Sequence, residues 1–223
     1  MNVRAFAASL LLLALLAGPE ALARGKHDGG YLRFGPGLGC RWLDYDVVSG
    51  YDPDTADGEG SGSPLDWRMW EDRTARSEFV TMSAGHALLD GLILAADMEW
   101  GSSHWKRSFL SGLGVGAGLT WYPFPADVWF TAGYMGTAVS VNPYTMRPHS
   151  EVDQVWAHGF RLMAGKDWSL GGRWTIGVAA LYSEAWFSEQ ALPQFGDVKQ
   201  GADARLTSAA LLVTTSFHPW STP

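Results

Sequence analysis

A single cysteine, Cys40, stands in 223 residues. One thiol cannot build an intramolecular disulfide framework or a thiolate zinc cluster. Charge is also sparse. Asp, Glu, Lys and Arg make up 17% of the chain, with 16 basic against 23 acidic side chains and a net charge of -7. An acidic balance lacks the basic footprint of a nucleic-acid binder. Low charge together with 13% aromatics also excludes a disordered chain. A mean hydropathy of -0.05 excludes a polytopic helical membrane protein. What is abundant is glycine, with 27 residues, and tryptophan, with 12.

The uncharged apolar run of the N-terminus, Ala5 to Ala17, follows Arg4 and is broken by Gly18 and Pro19. Ala21-Leu22-Ala23 then supplies a small-x-small cleavage pattern. These features predict a secretory signal over 1–23, because the core is too short to span a bilayer as a helix. Leu38-Gly39-Cys40 resembles a lipoprotein attachment site only superficially, since it lies well past the signal behind Lys26, Asp28 and Arg33. The rest, 24–223, suits one domain.

That domain alternates with period two. In Leu113, Val115, Ala117, Leu119 and Trp121, apolar residues are separated by Gly114, Gly116, Gly118 and Thr120. One face is apolar and the other is glycine and hydroxyl, which predicts a strand between two unlike environments. Ser108–Ala126 and Val128–Met146 carry no charge and could be scored as membrane helices. Glycines at strict i+2 spacing oppose that, each costing a helix roughly 1 kcal/mol. Eight strands are predicted, near 31–43, 77–87, 92–101, 109–122, 128–141, 155–168, 173–187 and 206–217. Short turns are expected near Leu88–Gly91, Pro123–Asp127 and Ser169–Gly172, and longer loops near 44–76, 102–108, 142–154 and 188–205. An outer-membrane barrel has this asymmetry, and an even strand number puts both termini on one side.

Parity indicates which face is outside. Arg33 and Arg41, Asp97 and Glu99, and Arg161 share the face opposite Leu32, Phe34, Leu38, Trp42, Leu94, Met98, Phe160 and Leu162. A charged interior under an apolar exterior is the inverse of a soluble barrel. In the fifth strand the outer face is contested between Phe130 and Tyr134 on one side and Trp129 and Met135 on the other. Trp156 and Trp168, like Trp174 and Trp186, are twelve residues apart. A hairpin folded at Ser169–Arg173 would pair Trp156 with Trp186 and Trp168 with Trp174. Twelve tilted steps rise about 30 Å, enough to reach both interfacial belts around a hydrocarbon band of about 25 Å. Trp42, Trp100, Trp121 and Trp129 also lie near predicted strand ends, the level that indole prefers. These belts disfavour a soluble lipocalin-like barrel.

The chain resembles the small eight-stranded outer-membrane β-barrels of the OmpA/OmpW/OmpX type. The resemblance rests on the signal, on Tyr31-Leu32-Arg33-Phe34-Gly35, on Gly159-Phe160-Arg161 to Gly165-Lys166-Asp167-Trp168, and on the amphipathic strand ending at Phe217. It implies an all-β, antiparallel, up-and-down transmembrane barrel in a Gram-negative envelope, at the cell outer membrane. Outer-membrane lipid, lipopolysaccharide and the envelope assembly machinery would be its partners. Such barrels usually end in an aromatic residue, whereas His218–Pro223 follow Phe217 here.

Sites of chemistry are few. The hairpin register expected above sets His158 opposite Glu184 on the outer wall. A His–Glu pair there resembles the outer-membrane lipid A deacylases, but position 160 is Phe and Ser183 should point inward, so the nucleophile is missing. His149-Ser150-Glu151 are adjacent in a loop, where their side chains diverge and build no triad. The segment 44–72 is rich in acids, with Arg68 as its lone base. Asp52, Asp54, Asp57 and Glu59 suggest a divalent-ion site, but Ala56, Asp57 and Ser63 break the EF-hand pattern, and Pro53, Gly58, Gly60 and Gly62 suit an external loop. No catalytic, cofactor or metal residue is assigned, and no nucleic acid partner is expected. The expected function is that of a monomeric, non-enzymatic outer-membrane barrel with a structural or surface-interaction role. A lipid A-modifying enzyme and a narrow channel for small or hydrophobic solutes are the alternatives. Eight strands enclose little more than their own side chains, so a blocked interior is expected, although inward glycines would leave space.

Overall fold

The computed structural model describes residues 29–45, 74–105, 108–123, 127–143, 154–171, 173–187 and 204–219. Eight antiparallel strands form one closed barrel. They are β1 (Gly30–Tyr45), β2 (Thr74–Leu89), β3 (Leu92–Trp105), β4 (Ser108–Trp121), β5 (Val128–Pro143), β6 (Gln154–Gly171), β7 (Trp174–Phe187) and β8 (Ala204–Phe217). Each pairs with its sequence neighbour, and β1 closes the ring on β8. Each predicted strand coincides with an observed one to within a few residues. The signal segment 1–23, His149-Ser150-Glu151 and the Asp52–Glu59 cluster lie outside the described residues.

One expected loop is strand. Pairing of β3 with β4 continues to Trp105 opposite Ser108, so most of 102–108 belongs to the wall. Gly101, Ser102 and Ser103 blur the apolar alternation, but ladder hydrogen bonds need no apolar side chain.

The wall is inverted relative to a soluble barrel. Leu32, Phe34, Leu38, Leu94, Val115, Leu119, Leu162, Ile176, Leu211 and Val213 are exposed on the outside. Arg33, Arg41, Asp97, Glu99, Arg161 and Asp167 are buried in the lumen. In β5, Tyr134 is 61% exposed and Phe130 also faces out, whereas Trp129 is fully buried at 0%. The expected belt position of Trp129 is therefore corrected: it is a lumenal residue. Trp121, Trp168 and Trp174 lie outward at the end with the short turns, and Trp100 and Trp156 lie outward toward the other end. Phe217 closes the short-turn end, its ring 4.6 Å from that of Trp174.

Several inward glycines serve close strand approach rather than open space in the lumen. A Cβ on Gly159 would collide with the carbonyl oxygen of Glu184, and one on Gly116 with that of Tyr134. Glycine at these points lets a strand bend sharply against its neighbour, as closure of a small barrel requires.

Candidate functional site: a filled lumen and an outer-wall cluster

Three arginines and three carboxylates lie in the lumen, one arginine to each acid. Near the short-turn end, Arg33 donates to Asp167 Oδ2 at 2.8 Å, to the Tyr122 hydroxyl at 2.6 Å and to Ser216 at 3.0 Å. Its guanidinium carbon lies 3.4 Å from the centroid of the Trp129 ring and 5.0 Å from that of Tyr31. Trp129 in turn donates its indole N–H to Asp167 Oδ1 at 3.1 Å. Alternation aims all of these inward; four strands supply them, with Tyr122 just past the end of β4.

At mid-lumen Arg161 pairs with Asp97, which also accepts from Ser83 at 2.5 Å. Toward the far end Arg41 donates to the Gly101 carbonyl at 2.9 Å and to Ser208 at 3.2 Å. Its Nη2 stands 3.9 Å from Glu99, and Ser183 donates to the same Glu99 oxygen at 3.2 Å. Buried charges tolerate removal from water only when paired and hydrogen-bonded. Apolar residues fill the space between and beyond these pairs: Met163 and Leu181 between the Arg161 and Asp167 levels, and Leu110, Val139, Val155 and Leu206 toward the far end. The lumen is a packed interior.

On the outer wall the expected His158–Glu184 pairing is not formed. His158 stands opposite Trp186, and Glu184 opposite Phe160. The register slips by two residues because β6 runs on to Gly171, opposite Trp174, which places the turn nearer β7 than expected. A one-residue bulge between Ser169 and Gly171, with Gly171 at φ 97°, takes back part of that shift. By the same shift Trp168 meets Ile176 rather than Trp174. His158 lies between the rings of Tyr134 and Trp186, each 6.2 Å away centre to centre. Glu184 accepts from the Tyr182 hydroxyl at 2.7 Å and from Arg205 at 3.3 Å. A base needs a nucleophile within hydrogen-bond reach to act on it. His158 instead has aromatic neighbours, and Gly136 on its β5 side.

The closed ring, its strand number and its inverted wall are now defined. The chain has the fold of the small eight-stranded outer-membrane barrels. The solved structure of Neisserial surface protein A superimposes with a TM-score of 0.51 at 10% identity, covering 86% of this chain and 99% of that one. Outer membrane protein OprG from Pseudomonas aeruginosa matches with a TM-score of 0.44 at 10% identity, over 87% of this chain and 99% of its own. No protein-family profile matches the sequence, and no curated protein matches it.

Within this eight-stranded barrel fold, the parity rule found Arg33, Arg41, Asp97, Glu99 and Arg161 but passed over the partners of Arg33. Asp167 shares parity with Arg161 on β6, and Tyr122 continues the inward parity of Gly116 and Gly118 past the end of β4. Both signals were present in the alternation. Tyr182 and Arg205 gave no such signal, since their meeting at Glu184 depends on the register between β7 and β8.

Proposed function

We propose that this chain is an integral outer-membrane β-barrel with a non-enzymatic, structural or surface-interaction role. One observation carries the reading: an apolar exterior encloses a lumen filled with paired charges. Such a wall is stable only where lipid covers it, because this many exposed apolar side chains in water would drive aggregation. A filled lumen favours a structural or surface role over transport. The residues free to act are those of the outer wall and the far rim.

Outer-membrane lipid and lipopolysaccharide are then the direct surroundings, the envelope assembly machinery inserts the barrel, and residues 1–23 direct export. The barrel acts as a monomer. The lipid A-modifying alternative loses support from the separation of His158 and Glu184, each with other partners.

Expression in a Gram-negative host with membrane fractionation tests the location. The expected result is an outer-membrane band whose gel migration changes on heating. A soluble band of unchanged migration contradicts the reading. The role is tested on the same cells: purified protein in planar bilayers is expected to give no steady conductance, and the mass spectrum of lipid A to stay unaltered. Conductance steps would restore the channel, and a shifted lipid A mass the enzyme.

A further inference from the structure

Beside the outermost lumenal ion pair the packing leaves a cavity of about 20 Å³, lined by Arg41, Glu99, Gly112, Gly114, Ser183 and Ser208 among others. Arg41 and Glu99 are both nearly fully buried. Their ion pair is long, at 3.9 Å, and uses Glu99 Oε1. The second carboxylate oxygen, Oε2, is buried and has no hydrogen-bond partner among the described residues. A buried carboxylate oxygen left in that condition is costly, and the cost falls when a group in an adjoining space donates to it.

We infer that this cavity is a binding site for one ordered water molecule, bridging Glu99 and Arg41. Size and charge select that ligand. A volume of about 20 Å³ accepts one water and little else, since roughly 10–15 Å³ is the minimum for one. Arg41 repels a metal cation and Glu99 repels an anion, whereas water donates to one and accepts from the other. Ser183 and Ser208 add hydroxyls to the lining, within the two to four polar partners that buried waters use. Gly112 and Gly114 provide the room. Solvent thus completes the Arg41–Glu99 end of the charge stack, where the described side chains leave Glu99 Oε2 without a donor. The inference concerns the lumen and does not depend on which membrane holds the barrel.

Gly112 permits a test in which a wet and a dry cavity give opposite results. A Cβ there would meet Arg41 Nη1 and Thr137 Cγ2 at 3.6 Å, ordinary contact distances, so alanine fits. In a dry void, Gly112→Ala fills space and raises the unfolding midpoint. Over a bound water, it displaces the bridge and lowers the midpoint. The full chain, refolded in lipid nanodiscs, is first examined by water–amide cross-relaxation NMR. The expected result is a long-lived water contact at the Gly112 or Gly114 amide. That contact should disappear in Gly112→Ala, with a lower urea midpoint in lipid vesicles. No water contact in the native protein, or a raised midpoint in the variant, overturns the proposal. Should the variant fail to fold, the native spectrum alone decides.

Discussion

The guanidinium carbon of Arg33 lies over Trp129, 3.4 Å from its ring centre, while both residues hydrogen-bond one carboxylate, Asp167. β1, β5 and β6 are thereby tied together across the lumen by a single cation. The tie combines a cation–π contact with charge-assisted hydrogen bonds in a site closed to water, where each is worth more than at a surface. Arg33→Met leaves Asp167 buried without its cation and is expected to destabilise the barrel by about 3–5 kcal/mol. Pairing it with Asp167→Leu should recover most of that loss, because the orphaned charge is gone. Urea titration in lipid vesicles, followed by circular dichroism, measures both. Additive losses in the double variant would contradict the coupling.

Glycine is required at Gly159 and optional at Gly136. The Gly159 Cα faces the Glu184 carbonyl of β7 with no room for a Cβ, whereas a Cβ on Gly136 meets nothing within 4 Å. Gly159→Ala forces a backbone shift and should cost about 1–3 kcal/mol or prevent folding. Gly136→Ala should be neutral or stabilise by about 0.4–1 kcal/mol through the unfolded chain. The yield of the heat-modifiable folded band ranks the two. Equal behaviour would show that β6 bends elsewhere.

The closing seam has one interior gap. Pairing of β1 with β8 runs from Leu32 to Phe34 and resumes at Gly37, while Gly35 and Pro36 keep their partners on β2. Proline lacks the N–H that would bond to β8. Just past the gap Leu38 and Leu211 face each other on the outer wall, 71% and 69% exposed. Pro36→Val restores a donor, and hydrogen–deuterium exchange at Leu212–Thr215 in nanodiscs should slow. Unchanged exchange would mean that the gap is not the point where the seam opens.

Acid should weaken the short-turn end. His218 follows Phe217, is buried beside Tyr31 with ring centres 5.7 Å apart, and donates its backbone N–H to the Arg173 carbonyl at 2.9 Å. Burial holds its pKa below the ordinary 6.5, a shift that Asp167 opposes and Arg33 reinforces. The folded state therefore prefers neutral His218. Its stabilising share is fully present above pH 6.5 and is lost as pH falls through the lower folded value. The difference in unfolding midpoint between native protein and His218→Gln, measured from neutral to mildly acidic pH, should narrow with acid. A difference that stays constant would remove His218 from the pH response.

Strand existence and facing were legible because side-chain alternation is strict along a strand. Arg33 and Arg41 had to share a face, as did Asp97 and Glu99, and lipid outside makes that face the interior. The outer-wall pair was misread because register is a relation between strands. The hairpin turns after Gly171, opposite Trp174, so that beyond the bulge the partners of β7 stand two residues from their expected places and His158 is separated from Glu184. β5 was ambiguous for another reason: large apolar residues occupy both of its parities, since Trp129 serves a lumenal cation.

The sequence by itself determined an eight-stranded barrel with its apolar face outward, because period-two patterning acts locally and residue by residue. Only the tertiary structure decided which charges meet. Arg33 reaches Asp167 and Arg41 approaches Glu99 across a closed ring, where stagger and bulges set the height of each strand, and those are properties of the assembled wall.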